Sequence, residues 1–109
     1  MNPKKYMMDI LQYAEEIDFH LARIKNFEDY SNDLTVKRAI ERFFEIIGKA
    51  MNQLLSFDPK INISGKKQII ALRNRIIHGY DSVSDQVIWT ITHDNLPVLK
   101  SEIIKLLEG

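Results

Sequence analysis

Apolar residues recur every three or four positions along this chain, which is the spacing that places them on one face of an α-helix. Nowhere do apolar and polar residues alternate over the length of a β-strand. The first series lies in the N-terminal quarter, and polar residues fill the positions between its members, which are Met7, Ile10, Ala14, Ile17, Leu21 and Ile24. The pattern is typical of an all-α protein, and it predicts a first helix from about Lys4 to Phe27.

A second apolar series is wider than the first and covers more of the helix circumference. It begins after Asn32 or Asp33, either of which can cap its first turn, and it ends before Pro59. The width indicates packing against two neighbours or against another subunit. Gly48 lies inside this helix, where glycine costs about 1 kcal/mol relative to alanine. A close approach of a second helix would explain its use there.

Caps and breakers divide the rest of the chain. A third helix is predicted from Gly65 to His78, with Ser64 as its N-cap and Gly79 as a left-handed C-cap. Ser84 can cap a short fourth helix that reaches about Thr92, and Pro97 fits the first turn of a last helix. We therefore expect a single domain over residues 1–109, folded as a small up-and-down bundle of four to five helices with one kinked end.

Composition excludes several classes of protein. There is no cysteine, so disulfides, thiol nucleophiles and cysteine-ligated metals are ruled out. Fifteen basic and fifteen acidic residues cancel, so the chain has no global field that would draw it to DNA or an anionic membrane. The longest apolar run is Ile69–Leu72, far below the ~20 residues of a membrane span, and the N-terminus has no signal-peptide pattern. A cytoplasmic protein without membrane association is expected.

The sequence contains none of the common cofactor motifs. A phosphate loop is excluded because Lys60 stands where its first glycine should be and no strand precedes Gly65. The three histidines, His20, His78 and His93, are not paired at helical spacing as a zinc site would require. His20 and His93 are interpreted as ordinary solvent-facing residues. We expect neither a cofactor nor a bound metal.

One segment breaks the even distribution of charge. From Pro59 to Tyr80 the chain has no acidic residue, yet it contains a third of all the basic ones. These are Lys60, Lys66, Lys67, Arg73 and Arg75. Lysines in the first turn of a helix oppose the helix dipole, so Lys66 and Lys67 suggest an anionic ligand. Together with Arg75 they are candidate RNA-binding residues, although they could equally be ordinary solvated side chains.

Four polar groups can meet at the end of the third helix. Asn74 and His78 are four apart and share a face, the long side chain of Arg73 can reach the same place, and Tyr80 can fold back beyond the glycine. An imidazole can move a proton from a 2′-hydroxyl or to a leaving oxygen. A guanidinium can bind the phosphate and stabilise its developing charge. The set suits RNA cleavage without a metal.

The same residues have a structural interpretation. A histidine in the last turn of a helix is stabilised by the helix dipole, and an arginine near it can pair with an acid of another helix. Spacing alone leaves both interpretations open.

The spacing Arg73-Asn74-x-x-x-His78-x-Tyr80 resembles the signature of HepT-like toxins in the HEPN superfamily. The likeness extends over nearly the whole chain through Ile46–Ala50, Leu72, Ile77, Val87–Trp89 and Asn95–Pro97. Lys49 departs from it, because many relatives carry an acid after the glycine.

The resemblance implies an all-α fold that forms a homodimer, with motifs from two subunits in a basic cleft. It implies a metal-independent endoribonuclease that acts as the toxin of a two-component toxin–antitoxin system. Arg73 and His78 would be catalytic and Asn74 would assist them. Tyr80 would be modified with AMP by a partner, a minimal nucleotidyltransferase of the MntA kind, and the added negative charge would block RNA binding.

Two other functions remain as alternatives. The chain could be a non-catalytic subunit that binds a nucleotide or substrate for a nucleotidyltransferase, with Arg73 and His78 holding phosphate only. It could also be a plain dimerising helical module, which would leave the acid-free basic segment without an explanation.

Overall fold

The computed structural model describes residues 2–79 and 83–109, and within them the chain is helical with no β-strand. The all-α bundle is therefore confirmed. The elements in chain order are α1 (Pro3–Leu21), α2 (Phe27–Ser31), α3 (Leu34–Phe57), α4 (Lys66–His78), α5 (Asp85–Thr90), a π-helical segment (Ile91–Asn95) and α6 (Leu96–Glu108).

The long helix α3 is the centre of the bundle. It packs against α1 on one side and α4 on the other, while α6 packs against α1. This explains the width of its apolar surface, and packing against two neighbours is confirmed. The core is made of residues that are almost wholly buried, including Ile10, Ile17, Ile40, Phe44, Ile47, Met51, Leu54, Leu72, Ile88, Leu99 and Ile103.

The first helix is shorter than predicted. It ends at Leu21 instead of Phe27, and a separate short helix follows. Asn26 begins that helix, because its side chain accepts a hydrogen bond from the backbone N–H of Asp29 at 2.8 Å. Ile24 has the spacing of the first apolar series, although the helix itself ends before it at Leu21. The new helix directs Tyr30 into the core.

Of the two predicted caps of α4, Ser64 is wrong, whereas Gly79 is the C-cap as predicted but is not left-handed. The N-cap is Gly65, which adopts a left-handed backbone with φ of 73° and gives no side-chain hydrogen bond. Ser64 bonds α6 instead, where its backbone N–H and hydroxyl donate to the Glu102 carboxylate at 3.0 to 3.2 Å. Gly79 follows the helix in an extended conformation with φ of −92° rather than a left-handed one.

The other caps agree with the sequence. Asp33 accepts from the backbone N–H of Val36 at the start of α3, and Ser84 accepts from that of Gln86 at the start of α5. The chain does not leave the helix between α5 and α6, however. It passes through a wide turn over Ile91–Asn95, in which the Leu96 N–H bonds the carbonyl of Ile91.

Within the described ranges, no helix is long and apolar enough to cross a lipid bilayer.

Candidate functional site

Helices α3 and α4 cross at Gly48, directly against Arg73. A Cβ atom placed on Gly48 would lie 2.2 Å from Cβ of Arg73 and 2.6 Å from its Cγ. Atoms cannot approach so closely, so the absence of a side chain at Gly48 is what makes room for the arginine. The close helix approach expected from the sequence is confirmed, and its neighbour is a candidate catalytic residue.

The guanidinium of Arg73 has no acidic partner among the described residues. Its Nε is buried without a hydrogen-bond acceptor there, and Nη1 makes only a long contact of 3.5 Å with Oδ1 of Asn74. Buried polar groups are usually paired. The interpretation of Arg73 as the partner of an acid from another helix therefore does not fit the described structure, in which Asn74 is the one acceptor for its guanidinium.

The three predicted groups of α4 do not all face the same way. Asn74 and His78 are exposed and lie one turn apart on the same side of the helix, whereas Arg73 is half-buried against α3. Successive residues of an α-helix differ in direction by about 100°, so Arg73 points about 140° away from His78. The structure thus brings Arg73 and Asn74 together and places His78 a turn further along. Tyr80, predicted as the fourth group, lies outside the described residues.

His78 is the last residue of α4, and its imidazole is exposed. It makes no hydrogen bond to any group in the described part of the chain. An imidazole so placed is open to a substrate from the solvent side.

The basic segment divides into structural and free side chains. Lys66 is partly buried, and its Nζ donates to the carbonyls of Ile61 at 2.9 Å and Pro59 at 3.4 Å, which fixes the loop before α4. Of the three candidate RNA-binding residues, Lys66 therefore uses its ammonium group to bond the backbone. Lys67 and Arg75 are exposed and form no ion pair within the described structure.

Comparison with known proteins identifies the family of the chain. The family model described as "Ribonuclease HepT-like" matches residues 10–106. The chain belongs to the HepT-like ribonuclease family. A relative in Caldanaerobacter subterraneus subsp. tengcongensis, named "Putative RNase TTE0752", is 33% identical over 97% of this chain and 95% of its own length. The "Probable ribonuclease HepT" of Thermococcus cleftensis is 31% identical over 94% of each chain. No solved structure matches.

Lys49, where the sequence suggested a departure from the family pattern, lies on the side of α3 that faces α1. Lys49 is exposed and borders a groove of about 320 Å³ between α1 and α3, together with Lys5 and Asp9. Nζ of Lys5 bonds the Asp9 carboxylate at 3.0 Å, and this hydrogen bond raises the pKa of Lys5.

The other two histidines have local roles in this HepT-like fold. His20 is half-buried, so the expectation of a solvent-facing residue is wrong there; its ring lies 5.1 Å from that of Phe43. His93 is exposed, as expected, and its Nδ1 bonds the carbonyl of Trp89 at 2.7 Å. Residues 2–79 and 83–109 contain no cluster of three or more side chains able to hold a metal ion.

Sequence reasoning missed a second surface beside the motif. A groove of about 400 Å³ separates α4 from α5 and the π-helical segment, and three of its border residues carry side-chain amides: Gln68, Gln86 and Asn95. These amides are far apart along the chain and match no motif, so only the fold brings them together.

Proposed function

We propose that the chain is a metal-independent endoribonuclease and the toxin of a two-component toxin–antitoxin system. The observation that carries the proposal is the guanidinium of Arg73, held against Gly48 without an acidic partner in the described structure, on the same helix as the exposed His78. Membership of the HepT-like ribonuclease family supports it.

The chemistry assigned to these residues is transfer of the RNA phosphate to the neighbouring 2′-oxygen. A bond forms between the 2′-oxygen and phosphorus, the bond from phosphorus to the 5′-oxygen breaks, and one proton moves from the 2′-hydroxyl to the 5′-oxygen. His78 carries that proton at one of the two positions. Arg73 stabilises the negative charge on the phosphate, and Asn74 holds the substrate or the imidazole.

A homodimer would complete this site. Within one α4, Arg73 and His78 point about 140° apart, so one helix presents the two groups to different sides. Beside His78, the apolar side chain of Ile77 is 41% exposed. Two copies that meet along α4 would cover Ile77 and place His78 of one chain near Arg73 of the other. The free cations of both chains would then line one cleft and attract RNA.

The first test is incubation of total cellular RNA with the purified protein in excess EDTA. We expect discrete fragments that end in 2′,3′-cyclic phosphate, and we expect His78→Ala to remove cleavage while the variant stays folded. His93→Ala is the matched control, because His93 is an exposed histidine outside the basic segment. Equal cleavage by His78→Ala contradicts the proposal. Nucleotide binding without cleavage would instead favour a non-catalytic subunit of a nucleotidyltransferase.

The proposed control of the toxin is AMP modification of Tyr80 by an MntA-like nucleotidyltransferase. The added phosphate would place negative charge next to a basic segment and repel RNA. Co-expression with such an enzyme should increase the intact mass by one or more adenylyl groups and stop cleavage. Tyr80→Phe should keep the unmodified mass. Adducts of the same number on Tyr80→Phe would exclude Tyr80 as the acceptor.

A further inference from the structure

The groove between α4 and α5 has one wall made by a single face of α4. Gln68, Ala71, Leu72 and Arg75 line it, and their spacing of three and four places them on one side of the helix. Arg73 faces α3 instead, so this groove is distinct from the contact that holds the catalytic arginine.

We propose that this groove binds one unpaired nucleobase of the RNA substrate, next to the phosphate on which His78 acts. This inference rests on the proposed function for the identity of the ligand. It adds a place where the enzyme reads the RNA sequence.

The floor of the groove suits a flat ring. Leu72 is 2% exposed, and Val87 and Ile91 are partly buried on the opposite wall. These aliphatic side chains present an apolar surface to the face of a base. The volume of about 400 Å³ lies within the range of small-ligand sites.

Unused hydrogen-bonding groups line the rim. The Asn95 amide donates to Oε1 of Gln68 at 2.7 Å, and the Gln86 amide donates to the hydroxyl of Thr90 at 3.3 Å. These bonds leave an N–H of Gln68 and the side-chain oxygens of Asn95 and Gln86 without partners among the described residues. Donors and acceptors in close proximity match the edge of a base, which carries both.

The described lining of this groove contains no carboxylate, unlike that of two other grooves on the described surface. The other two linings contain carboxylates together with lysines: Asp18, Glu108, Lys100 and Lys105 between α1 and α6, and Asp9, Lys5 and Lys49 between α1 and α3. The charged residue among the described ones that line the groove between α4 and α5 is Arg75, which forms no ion pair with any other described residue. A polyanion bound in this groove therefore meets a cation and no carboxylate of the described residues.

The groove also opens beside the proposed catalytic imidazole. Arg75 and His78 are three apart on α4, so their side chains are neighbours on the helix surface. A phosphate bound by His78 lies about one helical turn, roughly 5 Å, from the groove. The base of an adjoining nucleotide can enter it, with Arg75 near the backbone.

The test uses Ala71→Phe, which fills the groove, built in the His78→Ala chain to prevent cleavage. Ser101→Phe is the matched control, since Ser101 is also a small exposed helical residue, at the groove between α1 and α6. The probe is a short fluorescent single-stranded RNA, compared with the same RNA carrying one abasic nucleotide. Ala71→Phe should weaken binding of the intact RNA about tenfold to hundredfold, the usual effect of losing base contacts. It should leave the abasic RNA unchanged.

A second variant tests recognition without added bulk. Gln68→Leu keeps the approximate shape but removes the amide, so it should alter the relative affinity for RNAs that differ in one base. The inference is overturned if Ala71→Phe and Ser101→Phe bind the intact RNA with equal affinity and Gln68→Leu ranks the RNAs that differ in one base as the parent chain does. Equal weakening of intact and abasic RNA by Ala71→Phe overturns it too, and so does loss of a dimer, which would make the groove an interface between copies.

The outcomes separate the two proposals. If the wild-type chain cleaves RNA in EDTA but RNA binding does not depend on the groove, only the proposal of the base site is rejected. Neither cleavage nor RNA binding by the wild-type chain removes both.

Discussion

Gly48 and Arg73 are in direct contact across the crossing of α3 and α4, and the arginine side chain lies where a methyl group on Gly48 would be. The same contact therefore sets how closely the two helices approach and the direction in which the arginine leaves α4. The stability of the fold and the position of Arg73, the residue proposed to bind the phosphate, therefore depend on the same contact.

Gly48→Ala should lower both stability and cleavage. Alanine is favoured over glycine in a helix by about 1 kcal/mol, but crowding a packed site costs about 1–3 kcal/mol, so we expect a net loss of up to about 2 kcal/mol in a urea titration. Cleavage should fall more than the folded fraction, because Arg73 must move. Asn52→Ala, an exposed position in the same helix, should not destabilise the protein. A Gly48→Ala protein more stable than the wild type, with unchanged cleavage, would contradict the contact.

The neighbours Lys66 and Lys67 should have separate effects. Lys66→Ala removes the hydrogen bonds to the carbonyls of Ile61 and Pro59 and should cost about 1 kcal/mol of stability. Lys67→Ala should leave stability within about 0.5 kcal/mol. It should weaken RNA binding, however, and reduce the slope of log affinity against log salt by about 1. Denaturation and salt titrations of both variants measure this, and an unchanged salt slope in Lys67→Ala would remove Lys67 from the RNA-binding surface.

Tyr30 should make the protein sensitive to alkali. Burial raises the pKa of its phenol, and the charges of Asp85 and Glu41 raise the pKa further. Above about pH 10 the unfolded chain releases this proton while the folded chain retains it, so the free energy of unfolding falls as the pH rises. Tyr30→Phe should remove this contribution. It should cost little at neutral pH, because the hydroxyl is buried without a hydrogen bond to the described residues.

Urea midpoints at about pH 8 and about pH 11 test this expectation. Relative to the wild type, Tyr30→Phe should gain stability at the higher pH. Tyr13→Phe is the control, since Tyr13 is partly buried and its ring packs against Phe43. The same gain in both variants would show that Tyr30 is not responsible.

The sequence predicted those features that depend on neighbouring residues. Helical spacing identified α3 and its surface, and Asp33 and Ser84 were recognised as caps because a cap bonds a backbone group two or three positions away. The sequence also predicted Gly48 correctly as a point of close helix approach, because a glycine inside a helix is unfavourable unless a close neighbour requires it. That Arg73 is the residue it contacts depends on how α4 packs against α3, which no local pattern records.

Errors arose where a distant residue competed with a local rule. Ser64 had the right type and position to cap α4, but the Glu102 carboxylate, 38 positions away, takes its hydrogen bonds. The sequence makes Lys66 a candidate RNA-binding residue or a solvated one. In the structure, two carbonyls of the loop before α4 accept hydrogen bonds from its Nζ. The groove beside α4 could not be predicted for the same reason, since it exists only after Asn95 approaches Gln68.

The wide turn at Ile91–Asn95 has a consequence for changes in chain length. Deleting one residue from α6 ahead of Leu99 would rotate everything after it by about 100° and carry Leu99 and Ile103 out of the core. A deletion inside the turn can be absorbed, because the π-helical loop then closes to a regular α-helical one and the later residues keep their direction. The turn is therefore where the helical segment from α5 to α6 can lose a residue without repacking, and the position of Asn95 beside Gln68 is what such a change would alter.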